Sequence, residues 1–176
     1  VKQRLSGQGG EQVARRVAAV KIEFINPFIA STYELFTTML GAEARRGKVG
    51  VVDGPGNPKD LTAIIGLSGS ARGTAILAFP TDTALKMVGR LLGEEVNTVD
   101  GSVTDAVAEM VNIVAGGAKA KLSDVQDTPI DLGLPTVVRG GDYAIEHPTG
   151  TTWLEIPFES DFGPFVLRIT MEMKSN

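Results

Sequence analysis

The sequence contains no cysteine, a single histidine, no extended apolar run and no block of like charge in its 176 residues. Without cysteine there is no disulfide framework, no thiolate metal site and no Cys nucleophile, and His147 alone is a poor basis for a metal centre or a triad. Basic and acidic residues number 17 and 21, a net charge of −4, and no run of Lys or Arg exceeds two. A chain so balanced lacks the positive footprint that nucleic acid or anionic lipid would require. No segment approaches the ~20 apolar residues that span a bilayer, and the amino-terminal residues lack an apolar signal core. These absences point to a cytoplasmic protein with no nucleic-acid or membrane partner, acting on another protein or a small ligand.

The length suits one domain with a continuous core. Residues 1–20, with the turn-prone run Ser6-Gly7-Gln8-Gly9-Gly10, read as an extension or linker, leaving residues 21–176 as the domain. Asn26-Pro27 signals a helix start, Asn26 as the cap and Pro27 at the first helical position. Phe28, Ile29, Tyr33, Phe36, Met39 and Leu40 follow at helical spacing, an aromatic stripe expected to be buried over Pro27–Leu40, and Gly41 ends the helix. Extended segments are expected at Glu43–Val52, Leu61–Leu67 and Arg72–Phe79, the last two as a hairpin. A second helix opens at Pro80-Thr81-Asp82, capped by Thr81 or Asp82, and stops at Gly93. After a third helix the strands resume at Val125–Leu132, Pro135–Val138, Tyr143–Glu146, Thr152–Phe158 and Pro164–Met173, the final two as a long hairpin. This order describes an α+β fold, a mixed or antiparallel sheet with long helices packed on it. Glu23-x-x-Asn26 and Glu109-x-x-Asn112, each followed by hairpin strands, suggest pseudo-duplicated halves.

The third helix, expected after Asp100, carries the puzzle. At ~100° per residue the stretch Asp105–Leu122 sets Val107, Met110, Val111, Val114, Ala118 and Leu122 on one face. The other face holds Asp105, Glu109, Asn112 and Gly116, neighbours with Cβ atoms ~5–6 Å apart, so Glu109 and Asn112 can act on one bound object. Asn is a poor residue for a helix interior, and Gly116-Gly117 costs roughly another 1–2 kcal/mol against two alanines. Either the glycines admit a neighbouring helix or strand and Asn112 is merely solvated, or this face has a task.

The pattern Asp105-x3-Glu109-x2-Asn112-x22-Pro135 resembles the signature of the CheC/CheX/FliY phosphatases of bacterial chemotaxis, in which Asp or Ser stands first. Ile25-Asn26-Pro27-Phe28-Ile29, Ile65-Gly66-Leu67-Ser68-Gly69, Thr83–Val88 and Leu134-Pro135-Thr136-Val137-Val138 are similar to the CheX branch, and the likeness runs over residues 21–174. The resemblance implies hydrolysis of the phospho-aspartate of a CheY-type response regulator. It implies that Asn112 holds the attacking water and that Glu109 pairs with the regulator's lysine. Asp105 would support docking, Gly116 and Gly117 would keep the surface flat beside Asn112 for the partner, and Pro135 would shape the chain beside the motif. No cofactor of its own is implied, Mg²⁺ being held by the regulator, and the relatives form homodimers through sheet edges, a fate suited to an exposed C-terminal hairpin. Glu23 and Asn26 lack the remaining signature residues, Ala19 and Val49 standing in their place, and read as a cap and a relic of duplication. Two other readings are a non-catalytic receiver-binding adaptor or flagellar-switch-like module of the same fold, and an unrelated hydrolase, which would lack a nucleophile.

Overall fold

The computed structural model describes residues 22–55, 59–125, 129–148 and 151–173, so the expected extension over residues 1–20 lies outside them. A 3-10 turn, Ile22–Phe24, leads into helix α1, Asn26–Glu34. Strands β1 (Ala44–Arg46), β2 (Gly50–Val52), β3 (Leu61–Gly69) and β4 (Ala71–Phe79) follow, then helices α2 (Thr81–Leu92) and α3 (Gly101–Val125). The chain closes with β5 (Ile130–Leu132), β6 (Thr136–Arg139), β7 (Trp153–Ser160) and β8 (Gly163–Met173). All strand pairs are antiparallel, in the order β1-β7-β8-β4-β3-β5, with β2 also on β7 and β6 also on β3. The α+β expectation therefore holds.

Alternation along the long strands makes the two layers. Leu61, Ala63, Ile65 and Leu67 of β3 and Phe165, Leu167, Ile169 and Met171 of β8 are buried in the core cluster shared with α1, α2 and α3. Phe165 stacks between Phe36 and Phe158, with ring centroids 4.9 Å away on each side. The opposite face is partly covered too. There Ile76, Ala78 and Trp153 form a smaller cluster, and Arg168, nearly buried, bonds Glu155 at 2.7 Å.

The duplication is visible in the topology. Each half is a helix, two short strands and a long hairpin, and the short strands of each half pair with the first long strand of the other. Residues 44–46 and 50–52 recur 86 positions later as β5 and the start of β6, and the same offset carries Glu23 to Glu109 and Asn26 to Asn112. Ile76 and Arg168, directly paired between β4 and β8, mark the pseudo-twofold axis within the sheet. Ser31 of α1 and Gly117 of α3, also related by 86, meet in the helical layer. A Cβ on Gly117 would fall 2.6 Å from Ser31 Oγ.

Several sequence expectations need correction. Asn26 is not the cap: Ile25 takes that position, with no side-chain bond to the first turn, and Asn26 is already helical. The helix expected to run evenly to Leu40 widens into a π-helical stretch over Leu35–Leu40 before Gly41, at φ +57°, ends it. Met39, expected in the buried stripe, is 47% exposed, because the wider turn rotates the face out of register. Pro80 occupies the cap of α2, and Asp60, from a distant loop, accepts hydrogen bonds from Thr81 N–H and Oγ–H. Glu43–Val52 splits into β1 and β2. Val125 ends α3 rather than starting a strand, and Tyr143–Glu146 form no strand. The C-terminal hairpin is no edge either: β8 lies between β7 and β4, and β1 and β2 cover β7.

Candidate active site

Asp100 caps α3, its Oδ1 accepting from Val103 N–H at 3.1 Å and Ser102 Oγ–H at 2.7 Å. These bonds hold its carboxyl below the usual carboxylate range, the Ser102 hydroxyl contributing most. The cap fixes where the helix begins and hence which residues face inward. Val103, Val107, Met110, Val111, Val114, Ala118 and Leu122 are all buried in the core, so the rotation of α3 is set by packing. The opposite face must then meet solvent. Asp105 and Glu109 are exposed on it, and Asn112 and Gly116 are half-buried.

Asn112 Nδ2 donates to Glu109 Oε2 at 3.4 Å, a long bond that crosses one turn of the helix. With Nδ2 turned to Glu109, the amide oxygen Oδ1 is the group left to accept from a water or ligand. Glu109 keeps its second oxygen for another donor. The face thus presents an acceptor for water and an anionic grip about one turn apart.

The two glycines separate. Gly117 is where α1 approaches, as its contact with Ser31 shows, whereas a Cβ on Gly116 would meet nothing within 4 Å. Close approach of a helix explains Gly117, and only Gly116 keeps the surface low beside Asn112. Pro135 comes from another element, the connection between β5 and β6, and is half-buried. Both strands touch α3, and Lys119 Nζ lies 4.0 Å from Asp131 Oδ1. Lys119 stands two turns beyond Asn112 on the same side of the helix, so the structure gathers Asp105, Glu109, Asn112 and Gly116 on one surface with the Pro135 segment flanking the helix.

The register shows how that segment is built. Leu132 pairs with Leu67 and Thr136 with Ile64, four steps on one strand against three on the other, so the connection contains a one-residue β-bulge. Gly133 N–H bonds Gly66 O at 2.9 Å, and Leu134 projects into solvent, 91% exposed. In the sequence Leu134 stands out only as part of the block Leu134–Val138, and its exposure is not legible there, because a bulge is written in pairing register rather than in hydrophobic period.

At the pseudo-equivalent place Glu23 and Asn26 are both exposed, but Glu23 lies in the 3-10 turn and Asn26 in the first turn of α1. The two are not presented from a continuous helix as Glu109 and Asn112 are. Among the described residues no group of three or more His, Cys, Asp or Glu is arranged to hold a metal ion, and no helix is long and apolar enough to cross a membrane.

Comparison with known proteins gives the family. The sequence model of the family "Chemotaxis phosphatase CheX" matches residues 61–159. The CheY-P phosphatase CheX of Thermotoga maritima is 35% identical over 123 residues, 69% of this chain and 79% of that protein. Among solved structures, a CheC-like superfamily protein from Shewanella sp. PV-4 is similar with a TM-score of 0.78 and 32% identity, over 86% of this chain and 99% of that one. CheX from Borrelia burgdorferi, solved as a CheX–CheY–BeF₃–Mg²⁺ complex, gives a TM-score of 0.73 and 26% identity, over 85% of this chain and 97% of that one. A match over more than half the sequence, a relative at this identity and a shared fold together make the chain a member of the chemotaxis phosphatase CheX family.

Proposed function

We propose that this protein dephosphorylates a CheY-type response regulator, with Asn112 and Glu109 as its working residues. The observation that carries the reading is the Glu109–Asn112 pair, hydrogen-bonded on the open face of a helix whose other face is locked into the core. The T. maritima relative is named a CheY-P phosphatase and the B. burgdorferi relative was solved bound to CheY, which supports the same partner here.

The chemistry asks little more of the chain than geometry. An aspartyl phosphate is an activated acyl phosphate, and its hydrolysis passes through a loose transition state in which positioning and charge stabilisation dominate. Water attacks phosphorus, the bond between phosphorus and the aspartyl oxygen breaks, and the products are the receiver's carboxylate, inorganic phosphate and a proton released to phosphate or solvent. Asn112 Oδ1 would accept a hydrogen bond from the attacking water and align it. Glu109 would pair with the receiver's lysine and set the register of docking while its other oxygen steadies the Asn112 amide. Asp105 and Gly116 border the docking surface, and Pro135 shapes its flank. The phosphoryl charge would be met by Mg²⁺ held in the receiver, so the reading asks no metal or other cofactor of this chain. It also carries a cytoplasmic location and a homodimer. With the C-terminal hairpin interior, the dimer rests on the family resemblance and not on an exposed hairpin.

The test is the decay of phosphorylated receiver with catalytic amounts of the protein. Wild type is expected to accelerate it. An unchanged decay rate would favour the non-catalytic adaptor reading, in which the receiver binds without turnover.

A further inference from the structure

The fold contains the same bulge twice. In the first half Arg46 pairs with Phe158 and Gly50 with Glu155, again four steps against three, and Gly47 N–H bonds Pro157 O at 2.7 Å as Gly133 bonds Gly66. Gly47-Lys48-Val49 is thus the counterpart of Gly133-Leu134-Pro135. Lys48 is exposed, as Leu134 is. The fold therefore accepts a charged residue at the tip of this bulge. The half whose signature is broken has lysine there, and the half with Glu109, Asn112 and Pro135 has leucine.

We propose that Leu134 is a docking and specificity-determining residue, an apolar knob that the bulge holds beside the Glu109–Asn112 surface to fill a hollow on the phosphorylated receiver. This rests on the function proposed above. A single exposed leucine is ordinary on a protein surface, but this one is unusually well held. The strands on either side are both paired to β3, Gly133 is tied to Gly66, and Pro135 has a fixed φ. A knob already ordered before binding loses little entropy on docking. Its segment runs alongside α3, to which the Lys119–Asp131 contact joins it, so a receiver seated over Asn112 would reach it. Bulges beside active sites commonly re-aim a side chain in this way.

The test compares wild type, Leu134→Lys and Asn112→Ala. Each is measured for binding to a purified CheY-type receiver loaded with beryllofluoride and Mg²⁺, and for steady-state dephosphorylation across receiver concentrations. Leu134→Lys copies the sister bulge and is expected to keep the wild-type melting curve. It should raise Kd and KM about tenfold, the range of a well-placed interface contact, and leave kcat within about twofold. Asn112→Ala should do the reverse. Unchanged Kd and KM for Leu134→Lys would overturn the proposal, as would an altered sedimentation coefficient with unaltered affinity, which would make Leu134 a contact between copies. If wild type binds the loaded receiver but does not hydrolyse the phosphorylated one, the phosphatase reading fails and the Leu134 proposal is decided by Kd alone. If wild type does not bind, both fail.

Discussion

Gly116 and Gly117 are adjacent, identical and in the same helix, yet they do different work. Gly117 lets α1 approach until Ser31 fills the space a side chain would take. Gly117→Val should destabilise the fold by about 1–3 kcal/mol through overpacking, read as a lower urea midpoint. Gly116 faces open space, so Gly116→Ala should stabilise by up to about 1 kcal/mol from helix propensity. Gly116→Leu should likewise not lower the urea midpoint but should raise KM for the receiver, because bulk beside Asn112 obstructs docking. A Gly117→Val variant as stable as wild type would contradict this division. Sequence alone shows that two helix-interior glycines require a reason. Which reason applies to which residue depends on the crossing point of α1 and α3, information held by the partner helix and not by either glycine.

At the scale of elements, α2 and α3 both begin on an aspartate, but from different distances. Asp100 immediately precedes α3, and Asp60 reaches α2 from 21 residues away. In both, hydrogen bonds favour the ionised carboxyl, from the Thr81 backbone N–H first for Asp60 and from the Ser102 hydroxyl first for Asp100, and hold it below its ordinary range. A carboxyl depressed in the folded state contributes fully above its unfolded pKa of about 3.9, and the contribution is lost as pH falls through the lower folded value. Amide protection at Val103 should therefore weaken on acidification below about pH 4. Asp100→Asn, which keeps a capping oxygen but cannot titrate, should remove much of that acid dependence; the same acid response in both proteins would refute the assignment. Local signals made α2, α3 and both hairpins legible, since the apolar period lies within each element, as do the Asp100 cap of α3 and the stop glycine Gly93 of α2. The Asp60 that serves the start of α2 comes from afar, and its part there was not legible. The α1 cap was misread because Asn26-Pro27 fits a cap equally well one residue earlier, and the π-helical stretch has no sequence period. The Tyr143–Glu146 segment has strand-like composition but pairs with no strand.

Among the described residues the fold is one supersecondary unit used twice with α2 between the copies, and only one copy presents Glu and Asn from a continuous helix. Sequence spacing exposed the duplication because the 86-residue offset between the motifs is also the offset between the short strands. The strand exchange between halves was not legible, since pairing partners are chosen across the axis. That exchange buries the C-terminal hairpin and leaves short strands at the sheet margins, where broken edges limit uncontrolled pairing. The homodimer is expected in sedimentation at micromolar concentration, and a monomer there would contradict it. The most direct test of the central claim is the single-turnover rate of receiver dephosphorylation with the protein in saturating excess, for wild type and Asn112→Ala. If Asn112 positions the attacking water, the variant should be about 10²–10³ slower, as for the loss of one positioned hydrogen-bonding group, while still binding the beryllofluoride-loaded receiver. A variant that hydrolyses at the wild-type rate would contradict the account.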